Sequence, residues 1–79
     1  MSSIEKLILK ILAGSFISYA DAERLLLNLG YTLKIRGSHH GFRKLGYSNI
    51  ILKRRSQLLP YQIKELQEAL IKHGYKEKK

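Results

Sequence analysis

The sequence predicts a small α+β domain in which helices pack on one face of a three-stranded antiparallel sheet, in the order α-α-β-β-β-α. Two changes of hydrophobic period and one asymmetry of charge carry that expectation. Apolar residues recur at helical spacing up to Gly30, alternate one by one from Tyr31, and return to helical spacing after Pro60. Helices in such an order cover one side of a small sheet and leave the other open. The chain's net charge of +9 falls in its middle, between Glu23 and Glu65, most of it in the alternating part.

The first helix is expected from Ile4, Leu7, Ile8 and Ile11, which share one face, with Ser2 and Glu5 in capping-box positions and Gly14 as the stop. A second follows the same grammar. Ser18 and Asp21 open it, Ala22, Leu25, Leu26 and Leu29 form its stripe, and Gly30 closes it. From there Tyr31, Leu33 and Ile35 alternate with Thr32, Lys34 and Arg36, as a strand with one apolar and one basic face requires. Gly37 and Ser38 supply a turn, a second extended piece runs from His39 to about Leu45, and the "LGYS" segment reverses the chain into a third, Asn49 to Arg54. Pro60 then suits the first position of a helix striped by Ile63, Leu66 and Leu70, with Lys64, Glu68 and Lys72 placed to pair on its outer face and Gly74 at its end.

The 79 residues form one domain, 1–79, with 1–17 as a leading helical segment and 76–79 as a basic tail. Without cysteine, the chain has neither disulfides nor thiolate chemistry, and packing must hold it together. Its apolar runs are too short to span a bilayer, and it lacks a signal peptide's pattern, so a cytoplasmic protein with no membrane partner is expected.

Charge narrows the partner. No acidic residue lies between Glu23 and Glu65, yet that interval holds Arg24, Lys34, Arg36, Arg43, Lys44, Lys53, Arg54, Arg55 and Lys64. The remaining lysines are matched one for one by the six acids, so the middle accounts for the whole +9. A concentration of that kind favours a polyanion, nucleic acid first. The first two helices could form a DNA-reading pair, but of these cations only Arg24 belongs to them.

Within the basic segment stands "RGSHHGFR", residues 36–43. In extended chain His39 and His40 point to opposite faces, and the nearest acids in sequence are Glu23 and Glu65, so no metal site and no cofactor is expected. Imidazole titrates near neutrality, at about 6.5 unperturbed, which suits proton transfer to and from an RNA 2′-hydroxyl while neighbouring cations hold the phosphate. Arg36, Arg43 and Lys44 are close enough in sequence to be those cations. The residues by themselves leave a histidine ribonuclease and a non-catalytic double-stranded-RNA-binding module as equal rivals, and either histidine could simply fill a polar position on the sheet.

The string "LLLNLGYTLKIRGSHHGFRK", followed by "LLPYQIKELQEALIKHGY", resembles the HicA family of toxin ribonucleases over roughly residues 18–75, anchored by "GYTLKIRGSHH" and by the later "PYQ" that opens a helix. The resemblance implies a fold like that of double-stranded-RNA-binding domains, metal-independent cleavage of mRNA as the toxin of a type II toxin-antitoxin system, and neutralisation by a HicB-type antitoxin protein. It makes His39 the catalytic residue, with Gly37, Ser38 and His40 as its support. Lys34, Arg36, Arg43, Lys44, Lys53 and Arg54 are then the phosphate-binding cations. Gly41 departs from the family pattern, standing where relatives usually carry a bulky apolar residue, and residues 1–17 go beyond the most compact relatives.

Overall fold

A computed structural model describes residues 3–53 and 58–75 of the chain. It contains α1 (Ser3–Leu12), α2 (Tyr19–Asn28), β1 (Thr32–Arg36), β2 (His39–Arg43), β3 (Ile50–Lys53) and α3 (Pro60–Lys72), the expected order. Three expectations made from sequence, the Ser2 cap, Arg54 and the basic tail, lie outside the described residues. Among the described residues no helix is long and apolar enough to cross a membrane.

Each helix stops by the same device. After α1, α2 and α3 the backbone turns at Gly14, Gly30 and Gly74 with φ of 82°, 100° and 98°. In each case the next residue's N–H reaches back to the carbonyl five positions earlier: Ser15 to Lys10 at 2.9 Å, Tyr31 to Leu26 at 3.0 Å, Tyr75 to Leu70 at 3.0 Å. These are Schellman closures, which satisfy carbonyls that the helix itself leaves open. At the N-termini, Ser18 Oγ accepts the Asp21 N–H at 3.2 Å. Gln62, itself buried, accepts the Leu59 N–H at 2.8 Å through its side-chain carbonyl.

The sheet is a meander, β1-β2-β3, antiparallel throughout. Its register places Leu33, Phe42 and Ile50 in one row and Ile35, His40 and Leu52 in the next, all on the side facing the helices. Phe42, Ile50 and Leu52 join Leu7, Ile11, Ala22, Leu25, Leu26, Leu66 and Leu70 in a continuous core. Ile35 departs from its expected burial. It is 57% exposed because it sits on the edge strand near the hairpin end, at the limit of the helical layer. Two cross-links tie the layer together: Gln67 Nε2 donates to the Ile11 carbonyl at 2.9 Å, and the Leu58 N–H to the Ile17 carbonyl at 3.2 Å. On α3 the expected Lys64–Glu68–Lys72 pairing is not formed; Arg24 instead pairs with Asp21 within α2 at 3.6 Å.

The helix closures make a direct prediction. Gly30→Ala forces a β-carbon onto a left-handed residue beside the Lys44 side chain, so urea denaturation should show a loss of about 1–2 kcal/mol.

Candidate nucleic-acid interface

Strand β2 is the centre of the sheet, and its alternation decides what each face presents. Gly37 and Ser38 form a two-residue hairpin loop before it, with φ of 58° at Gly37. A positive φ at the first loop position favours glycine, and a loop of this length fixes the register of the strands it joins. That register pairs Arg36 with His39 and, on the other side, His39 with Lys53. The next outward row is Lys34, Gly41 and Ile51, and the third pairs Thr32 with Arg43. Cross-strand neighbours on one face have β-carbons about 5 Å apart. His39 therefore lies between two cations in its own row, with Lys34 in the next row and Arg43 in the one beyond, on a face open to solvent. No acidic side chain is part of these rows.

A shallow hollow of about 220 Å³ opens in this face, lined by Lys34, Arg36, His39, Gly41, Arg43, Asn49 and Ile51. Gly41 is its floor. Asn49 and Ile51 were not legible as site residues, because the turn from Lys44 to Asn49 had to be known before β3 could be placed in register.

His40 points the other way and is 5% exposed. Its ring meets Tyr19 edge-on, with centroids 5.0 Å apart, and its Nδ1 is hydrogen-bonded to the Tyr19 hydroxyl. Tyr19 in turn donates to Glu23 Oε1 at 2.7 Å. A tyrosine hydroxyl can donate one hydrogen bond and accept others, so the phenol bridges His40 on β2 and Glu23 on α2. The link pins β2 to α2 from beneath. It also sets His40 apart from His39, the one buried beneath the sheet and the other exposed on it.

Lys44 is not gathered with the other cations. Its Nζ donates to the Leu29 carbonyl at the end of α2 (2.6 Å) and to His73 Nε2 (3.1 Å), while His73 Nδ1 donates to the Ala69 carbonyl at 2.8 Å. A cation at a helix C-terminus answers the open carbonyls and the negative end of the helix dipole. The same ammonium lies 4.9 Å from the centre of the Tyr47 ring, which stacks on His73 at 4.0 Å. Lys44 thus locks the β2–β3 turn to the ends of α2 and α3.

A larger hollow of about 370 Å³ lies apart from His39, bordered by Tyr31, Tyr47, Asn49, Glu65, Glu68 and Lys72. Its two glutamates disfavour a phosphate chain there. Burial, with Glu68 nearby, raises the Glu65 carboxyl above the usual range; burial, with Tyr47 beside it, raises the Tyr31 phenol likewise. Among the described residues no group of three or more metal-ligating side chains forms. Comparison of the chain with protein-family models, with curated proteins and with solved structures finds no match in any of the three.

Removing the Tyr19 hydroxyl leaves the buried His40 Nδ1 without its partner, so Tyr19→Phe should lower the unfolding free energy by about 1–3 kcal/mol in urea titrations. Glu65 has the opposite sign. A carboxyl whose folded pKa is raised costs stability once ionised, so Glu65→Gln should stabilise at neutral pH by up to about 0.5 kcal/mol. That advantage should shrink as pH falls through the raised carboxyl pKa, which thermal melts at a series of pH values will show.

Proposed function

We propose that the chain is an endoribonuclease toxin of the HicA type, cleaving mRNA on the open face of its sheet with His39 as the proton-transfer group. The observation that carries the reading is the outward row Arg36–His39–Lys53, an imidazole between two cations within a larger acid-free surface. The resemblance of residues 18–75 to that family supports the same assignment.

In this reading Lys34, Arg36, Arg43 and Lys53 hold the RNA backbone, and His39 takes the proton from a 2′-hydroxyl. The freed oxygen attacks the adjacent phosphorus, the bond to the 5′-oxygen breaks, and that oxygen is protonated as it leaves. The products are a 2′,3′-cyclic phosphate and a 5′-hydroxyl. Nearby cations stabilise the charge that builds on the phosphoryl oxygens during attack, and they do so best where water is partly excluded. His40, Tyr19 and Gly37 act indirectly by setting the strand and the turn that present His39. The protein works in the cytoplasm, and a HicB-type antitoxin silences it by laying acidic surface over the same cations.

A second reading has its own support. Among the described residues the His39 side chain makes no hydrogen bond, and Lys44, expected beside it as a phosphate-binding cation, is engaged by Leu29 and His73. An RNA-binding module without catalysis needs neither group oriented.

Purified His39→Ala, compared with the parent protein on single-stranded RNA in the presence of EDTA, separates the two. The ribonuclease reading expects cleavage to fall by at least about 100-fold while RNA affinity changes little. Undiminished cleavage by the variant would remove His39 from the mechanism. RNA retention by the parent protein with no products at any pH would establish the binding module.

A further inference from the structure

Gly41 has no structural reason to be glycine. The other five of the chain's six glycines have positive φ, where a side chain is strained, but Gly41 has ordinary strand geometry. Nor is it crowded: a β-carbon built there would meet only the Lys34 carbonyl oxygen, at 3.6 Å, an ordinary contact. Glycine weakens a strand interior, and this one occupies the middle of the central strand. What the missing side chain does provide is space. It leaves the hollow of about 220 Å³ beside His39, which most residues at this position would fill.

The hollow is smaller than the roughly 300–1,000 Å³ of pockets that enclose a whole drug-sized ligand, so its natural occupant is one group of a longer molecule. Its walls are of two kinds. Ile51, 56% exposed, presents apolar surface in the row of Gly41, and Asn49 at the rim offers an amide donor and acceptor. Around them stand Lys34, Arg36 and Arg43. A phosphate has no use for an apolar wall; a planar ring with a polar edge uses both, and arginine guanidinium planes stack on such rings.

We propose that the Gly41 hollow is a nucleobase subsite, which seats one unpaired base of an RNA strand while the surrounding cations hold the neighbouring phosphates. The proposal rests on the reading of this face as an RNA site and adds what that reading leaves open: the protein selects unpaired positions. A base in a duplex stays stacked between its neighbours and cannot enter a hollow in a flat sheet without being extruded.

The test uses the uncleaving His39→Ala background and a short single-stranded RNA, alongside the same strand with its bases replaced by abasic sites. With Gly41 present, the intact strand should bind about tenfold more tightly than the abasic one. With Gly41→Val added, the two strands should bind alike, at the weaker affinity, and with unchanged salt dependence. Gly41→Ala, which adds one carbon that the backbone accepts, should fall between and serves if the valine variant does not fold. Equal binding of intact and abasic strands by the Gly41 protein overturns the subsite while leaving the RNA site standing. So does a folded Gly41→Val protein that discriminates as before. Failure of the parent protein to bind either strand sinks the RNA reading itself, and the subsite with it.

Discussion

Strand β2 has to serve two faces at once, and the rest of the structure follows from how it does so. Five residues, His39 to Arg43, alternate between a dry core and an open, positively charged surface. His40 and Phe42 go inward; His39, Gly41 and Arg43 go outward. A slip of one residue would bury an arginine and expose the phenylalanine, so the register has to be held firmly. Two features hold it: the two-residue loop at Gly37 and Ser38, and the buried link from His40 through Tyr19 to Glu23. The helices supply the apolar layer against which the inward side chains close.

The outward face carries a cost that the fold does not need. Like charges on neighbouring strand positions repel, and no acidic side chain among these rows offsets them. Glycine in the centre of the same face adds a further weakness. A sheet selected for stability alone would interleave glutamates there and place a β-branched residue at position 41. Both departures coincide at His39, where the proposed polyanion site would account for them.

Much of this was legible in the sequence because it depends on local rules. Helix ends could be read from Ser18, Gly14, Gly30, Pro60 and Gly74, and strand character from the alternation after Tyr31. The two histidines could be separated by the period of a strand alone. What depended on distant contacts could not be read. Lys44 sits next to Arg43 in sequence, yet it is drawn to the end of α2 by the Leu29 carbonyl, fifteen residues away. The Tyr19–His40 link spans twenty-one residues, and no spacing rule announces it. Asn49 and Ile51 reach the site only through the register of β3. Gly41 was visible as an oddity, but its meaning required knowing that its backbone is relaxed and its surroundings open.

If Lys34, Arg36, Arg43 and Lys53 on the open face hold an RNA backbone, binding must release the counterions of the phosphates they neutralise. The dependence of single-stranded RNA affinity on salt concentration measures that directly. Four contacts should give a slope of log affinity against log salt of about −3, which drops by about 0.7 for each of these residues changed to glutamine. A slope near zero, or one that these changes leave untouched, would contradict the assignment of this face as the RNA site.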